Sequence, residues 1–193
     1  MNILDTLKPS QRALVKTKDH KKDTILFREF DECKEIGIVI NGSVSIVSYL
    51  NDGKEIIYNT IEENGIFGNN LVFSSFPYYK GNIITNVDSK IAYISHDILI
   101  KLLKNNEAFL IEYQKIQSDF AKALNNTIKM LSIDSAEEKL YFYLHENDGK
   151  IKYDSITQLS KQLYMQRETL SRLISKLLKQ KKIKKDNNTI SIL

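Results

Sequence analysis

Hydrophobic residues recur along this 193-residue chain in three rhythms, and each predicts a different kind of element. Residues 1–104 carry short apolar runs broken by turn signals. Ile36-Gly37-Ile38-Val39-Ile40 and Ser43-Val44-Ser45-Ile46-Val47 read as two strands with an Asn41-Gly42 hairpin signal between them. Asn51-Asp52-Gly53 marks the next turn, before Glu55-Ile56-Ile57-Tyr58-Asn59-Thr60-Ile61; further strands are expected at Ile83–Val87 and Lys90–Ile94. Short strands at this spacing predict a sandwich or jelly roll.

A second rhythm governs the stretch from about Asn106 to Leu131. Phe109, Tyr113, Ile116, Phe120, Ala123, Thr127 and Met130 step by 4, 3, 4, 3, 4 and 3, an a/d seam sustained for three heptads. The seam predicts a long helix that pairs with a second copy of the chain. Leu110, Leu124 and Leu131 fall beside it and are expected to pack on the chain's own β-region. The plainer alternative is a helix buried within a monomer.

The third rhythm is that of short amphipathic helices. Leu170, Leu173, Ile174, Leu177 and Leu178 form one stripe, and Ile156, Leu159 and Leu163 another. Ser155 with Gln158 fits an S-x-x-Q cap, and Tyr164-Met165-Gln166 supplies a turn, so the pair predicts a helix-turn-helix. Ile151-Lys152-Tyr153 reads as a strand ahead of it. Beyond Ile183, Lys184-Lys185, the turn-prone Asp186-Asn187-Asn188 and the alternating Thr189-Ile190-Ser191-Ile192 predict a wing. The expected class is therefore α+β: an N-terminal β jelly roll (1–104), a dimerisation helix with its hinge (105–134) and a winged helix-turn-helix (135–193).

Chemistry changes this picture from a fold to a function. The polar face opposite the second helix's stripe carries Glu168, Ser171, Arg172, Ser175 and Lys179, with Arg167 at its N-terminal border. A guanidinium fork can bond O6 and N7 of guanine, and a carboxylate can accept from N4 of cytosine. A carboxylate otherwise repels DNA, so Glu168 between Arg167 and Arg172 favours base reading over charge attraction; the plain reading of the same face is a solvated row of weak ion pairs. Charge is unevenly spread: 12 of the 28 Lys+Arg but 7 of the 24 Asp+Glu fall in residues 135–193, leaving that part at +5 and the rest at −1. Lys176, Lys179, Lys181, Lys182, Lys184 and Lys185 are candidates for phosphate contacts, and Gln166 joins them at the helix entrance.

Composition excludes several classes. Only one cysteine is present, Cys33, which rules out an internal disulfide and a four-cysteine cluster; its thiol is expected to be buried. The three histidines, His20, His96 and His145, are far apart and lack an H-x-H pair, arguing against a cupin-type metal enzyme; no metal site or cofactor is expected. With neither a nucleophile elbow nor a phosphate loop, the chain does not read as an enzyme. No apolar run approaches membrane-spanning length, so a cytoplasmic protein without membrane contact is expected. The rival to DNA binding is a jelly-roll dimer whose C-terminal helices bind a protein partner.

The chain resembles the bacterial regulators that include the cyclic-AMP receptor protein and the fumarate–nitrate regulator. The resemblance rests on Ile38-Val39-Ile40-Asn41-Gly42-Ser43-Val44 before Asp52-Gly53-Lys54-Glu55, on Gly65-Ile66-Phe67-Gly68 leading into Leu71, on the long helix, and above all on Arg167-Glu168-Thr169-Leu170-Ser171-Arg172. It implies that Arg167, Glu168 and Arg172 contact base edges, that Ser171 lies in the groove, and that Ser155, Thr157 and Thr169 hold phosphates. It further implies a homodimer on an inverted repeat with a TGTGA- or TTGA-like half-site, contact with RNA polymerase if the protein activates, and a small-molecule effector near Gly65, Phe67, Gly68, Asn69, Asn70, Leu71, Tyr79 and Lys80. Two departures qualify the likeness. Tyr164 stands where a small or glycine turn residue is common. In the cyclic-nucleotide binders a glutamate holds the ribose and an arginine pairs with the phosphate; Asn69 and Tyr79, with Lys80 adjacent, occupy those places, so strong cyclic-AMP binding is not expected.

Overall fold

A computed structural model describes residues 2–49 and 52–193, so Asn51 of the expected turn lies outside the described residues. The chain divides into two compact units, Met1–Asp119 and Phe120–Leu193. The first opens with a 3₁₀ turn, Ile3–Thr6, and a short helix, α1 (Pro9–Arg12). Eight strands follow: β1 (Lys16–His20), β2 (Ile25–Phe27), β3 (Glu35–Asn41), β4 (Val44–Tyr49), β5 (Glu55–Ile61), β6 (Ile66–Phe67), β7 (Asn82–Thr85) and β8 (Ser89–Ser95). They form two four-stranded antiparallel sheets, ordered β1-β8-β3-β6 and β2-β7-β4-β5, which make a β-sandwich. Ile36, Ile38, Val39, Phe67, Tyr79, Ile83, Ile91 and Ile94 are buried in its core. Then come α2 (His96–Asn105) and the long α3 (Glu107–Ser132).

Asn41-Gly42 does not close a hairpin. β3 pairs with β8 and β6, whereas β4 pairs with β5 and β7, so this turn carries the chain from one sheet to the other. The backbone explains the difference: a type I′ hairpin needs φ > 0 at both central residues, and only Gly42, at φ 90°, has it. A Cβ at Gly42 would lie 2.3 Å from Ser89 Oγ, so the crossing also needs a glycine to pass the start of β8.

In the second unit the order is α4 (Ala136–Glu146), β9 (Lys150–Lys152), α5 (Ile156–Gln162), α6 (Arg167–Lys179), β10 (Ile183–Asp186) and β11 (Thr189–Ile192). β10, β11 and β9 form a three-stranded antiparallel sheet. Its core joins Leu140 and Leu144 of α4, Leu159 of α5, Leu170, Leu173, Ile174 and Leu177 of α6, and Ile183 and Ile190 of the sheet. Each such side chain contributes about 1.5–3 kcal/mol by leaving water. Leu178, grouped with the apolar stripe by its spacing, instead lies at the edge with 36% exposure.

Helix α3 has the expected length and rhythm in a different phase. Phe109 and Tyr113 are buried in the first unit's core, with Ile116 packed against it, and Met130 is buried in the second unit's core. Phe109, Tyr113 and Met130 are thus taken by the chain's own cores, while Ile116 is half-buried. Phe120 and Ala123 are exposed, and half-buried Thr127 donates its hydroxyl to the Ala123 carbonyl. The exposed apolar residues of α3 include Leu110, Leu124, Ile128 and Leu131.

Candidate nucleic-acid interface

α5 begins where the cap pattern places it. Ser155 Oγ accepts from the Gln158 N–H at 3.1 Å, while the Gln158 side chain accepts from the N–H of Asp154, one residue before the reciprocal capping-box position. The chain leaves α5 through Leu163 and turns at Tyr164, whose φ of 50° puts a bulky residue in the left-handed region. Such a conformation costs a non-glycine residue about 1–3 kcal/mol, the physical reason small residues suit this turn. The Lys139 ammonium donates to the Tyr164 carbonyl at 3.3 Å, and the Met165 N–H returns to the Ser160 carbonyl at 3.0 Å, bracing the loop.

Arg167 is the first residue of α6 and Glu168 the second. An acid in the first turn is favoured by the helix dipole by about 0.3–1 kcal/mol, so Glu168 has a structural role beside any recognition role. Arg167, Glu168, Ser171 and Arg172 are all exposed and line one hollow of about 320 Å³ with Ile156 of α5. The structure thus brings the four candidate base-reading side chains together on the face opposite the buried stripe. Ser155, Thr157, Gln166 and Thr169 are exposed around the same two helix entrances, and Lys184 and Lys185 are exposed on β10.

Lys176 stands apart from this set. Its ammonium lies 3.0 Å from one oxygen of Glu137, and Lys182 lies 3.0 Å from the other. The two ammoniums hold the Glu137 carboxyl below its usual range. Lys176 therefore already has an anionic partner within its unit, which Lys184 and Lys185 lack among the ion pairs of the described residues. Glu137 is the residue the sequence reading missed, since an acid at the start of α4 carries no local sign of two lysines 39 and 45 positions away.

The candidate effector region is packed differently. Phe67 and Tyr79 are fully buried, Tyr79 stacking on Phe27 with ring centres 4.9 Å apart. A Cβ on Gly37 would lie 2.0 Å from the Phe67 ring, so the strand opposite must be glycine for that ring to enter the core. Gly68, at φ 77°, lies between the Cys33 thiol and the Tyr79 hydroxyl: a Cβ there would sit 3.1 and 3.2 Å from them. Cys33 is buried, and burial pushes its thiol above the ordinary range, which disfavours the thiolate. The Asn69 side-chain amide donates to the Gln117 side chain, and the Asn69 backbone carbonyl accepts from Gln117 Nε2 at 3.2 Å and from Tyr113 Oη at 3.1 Å. Gly65 and Leu71 are half-buried, while Asn70 and Lys80 are exposed; the Lys80 ammonium lies over the exposed Phe76 ring at 5.8 Å. Phe67, Gly68, Asn69 and Tyr79 come together as core, and Lys80 points away from them to the surface.

Comparison with known proteins agrees with this architecture. Residues 17–106 match the model of the cyclic nucleotide-binding domain. The anaerobic regulatory protein of Bacillus subtilis is 26% identical over 121 residues, 63% of this chain and 51% of that protein, so the match spans about half the length of the curated relative. In fold, the chain is similar to a CooA mutant from Carboxydothermus hydrogenoformans (TM-score 0.66, 18% identity, 100% of this chain and 90% of that one). It is also similar to the catabolite activator protein of Thermus thermophilus (TM-score 0.58, 12% identity, 100% and 94%). No described helix is long and apolar enough to cross a membrane. Residues 17–106 thus match a cyclic nucleotide-binding domain, and along its length the chain shares the fold of the catabolite activator protein and of CooA.

Proposed function

We propose that the protein is a sequence-specific DNA-binding transcription regulator that acts as a homodimer on an inverted repeat, with a jelly-roll sensor and a winged helix-turn-helix. The observation that carries this reading is the convergence of Arg167, Glu168, Ser171 and Arg172 on one exposed face of a helix whose other face is buried. Two such helices on a two-fold axis would read half-sites about 34 Å apart. The hairpin β10–β11 carries exposed Lys184 and Lys185, which supports reading it as the phosphate-holding wing.

For the dimer, the exposure on α3 favours Leu110, Gln114, Ala121, Leu124, Ile128 and Leu131, which with half-buried Gln117 keep the 4-3 rhythm one residue later than Phe109, Tyr113 and Met130. Gln114 and Gln117 make the first half polar, so the apolar grip falls on Leu124, Ile128 and Leu131. The effector region is read as one that holds no cyclic nucleotide, because Asn69 is bound to α3 and Lys80, the cation next to Tyr79 in sequence, lies at the surface.

The test is an electrophoretic shift with candidate operator DNA carrying inverted half-sites, repeated at rising salt. Operator binding should fall steeply with salt, log K against log salt having a slope of about −0.9 per neutralised phosphate. Absence of any shift at low salt, or equal affinity for operator and scrambled DNA, would remove the reading.

A further inference from the structure

Strand β1 breaks the rule that inward positions of a sandwich are apolar. In its register with β8, Lys16 lies opposite Tyr93, Lys18 opposite Ile91 and His20 opposite Ser89. Alternate residues of a strand share a face. The Tyr93 ring contacts Phe27 of the other sheet at 6.3 Å, so that face looks between the sheets. Two exposed lysines and a half-buried histidine thus lie on the face of β1 at the mouth of the sandwich. There they border a cleft of about 620 Å³ whose walls include Phe27, Tyr93 and Glu35.

Inward charge on an edge strand can serve only to deter pairing with other chains. Here it is joined by features that protection does not require. Tyr93 Oη and His20 Nε2 are 2.9 Å apart, with their rings edge to face at 6.0 Å, fixing a polar wall. The Phe27 ring supplies an apolar floor backed by Tyr79. Glu35 is half-buried, and burial pushes its carboxyl up while Lys16 draws it down. Cationic rim, aromatic floor and ordered polar wall together suit an anion with a flat apolar body.

We propose that this cleft is a binding site for a small organic carboxylate, its charge met by Lys16 and Lys18 and its apolar body resting on Phe27 and Tyr93. The site is distinct from the Gly65–Leu71 segment. Phe27 also stacks on Tyr79, which flanks Gly68 next to the α3-bound Asn69, so an occupant of the cleft would press on the residues that hold the long helix. As a sensory site it rests on the reading of the protein as a regulator.

The experiment is calorimetric titration of the full chain with phenylacetate, alongside benzyl alcohol and inorganic phosphate, followed by an operator shift on the same samples. Phenylacetate should bind saturably, and both controls about tenfold or more weaker, each lacking one half of the complement. The Lys16→Gln/Lys18→Gln variant should lose about tenfold in phenylacetate affinity, and Lys54→Gln none. No saturable phenylacetate binding, full retention by the double variant, or equal binding of phosphate would overturn the site and leave edge protection as the role of these lysines. Loss of titration with operator binding intact would discard the cleft alone. Titration with no operator binding would discard the regulator reading and keep the cleft.

Discussion

The two units place their distinctive chemistry on opposite sides of their surfaces. In the C-terminal unit the informative side chains, Arg167, Glu168, Ser171 and Arg172, stand outside a leucine-filled core. In the N-terminal unit the residues expected to line a pocket, Phe67, Asn69 and Tyr79, are inside. The difference shows why one function is easier to read than the other. A groove-reading helix needs only a free polar face, which helical periodicity reveals. A pocket needs empty volume, which depends on whether neighbouring strands leave room for rings such as Phe67 and Tyr79 to fold inward.

The sharpest way to break this contrast is to attack the element on which both units depend. Leu124→Asp with Ile128→Asp should convert a dimer to a monomer in sedimentation and lower operator affinity by about 10²–10⁴-fold, since the second half-site then binds as a separate molecule. A dimer that survives would place the interface elsewhere than this face of α3.

Phe109→Ala should cost about 3–5 kcal/mol of stability in chemical denaturation, as expected of a fully buried ring. Leu110→Ala, one residue on and exposed, should cost less than about 1 kcal/mol in the monomeric variant. Equal costs would erase the phase distinction between the two stripes. Glu168→Ala should relax preference at one base pair of each half-site by about 1–3 kcal/mol, read by competition with singly substituted operators. A uniform loss on all sequences would leave Glu168 only its place at the helix dipole.

Smaller effects probe the frame of α6. Lys181 follows the end of α6 at φ 55°, with its N–H bonded to the Leu178 carbonyl and that of Lys182 to the Leu177 carbonyl, a Schellman ending that favours glycine. Lys181→Gly should raise stability by about 1 kcal/mol; a fall would mean the lysine stem makes a contact that outweighs strain. The smallest effect concerns Glu137, whose folded-state pKa is depressed by Lys176 and Lys182. A depressed carboxylate stabilises above its unfolded pKa and loses that contribution as pH falls through the folded value. The melting-temperature gap between the native protein and Glu137→Gln should therefore close on acidification; a gap that persists would assign it to packing.

Much of the architecture was legible because local rules agree with it. Ser155 caps α5, Thr189–Ile192 forms the final strand, and the heptad rhythm gave α3 to within a residue at each end. What the rhythm could not give was its phase. Two rows one residue apart run along α3, and only the packed structure shows that Phe109, Tyr113 and Met130 of the first go to the chain's own cores while Leu124, Ile128 and Leu131 of the second stay exposed. β1 was missed because Lys16-Thr17-Lys18-Asp19-His20 has no apolar residue to betray a strand. Asn41-Gly42 misled in the other direction, since a turn signal reports a reversal without saying which sheet receives the chain. In the candidate site, the identities on α6 were readable, but the engagement of Lys176 by Glu137 was not, being a contact between distant segments.

The crossing at Asn41-Gly42 has a consequence for how the protein is made. Because neighbouring strands are dealt to different sheets, β1 has no partner until β8 has been synthesised, about 70 residues later. Pairings this distant form slowly, and a nascent strand with free edges is exposed to wrong partners in the meantime. The charges of Lys16, Lys18 and Asp19 suit that interval, keeping the earliest strand solvated and unattractive to other chains until its own partner leaves the ribosome.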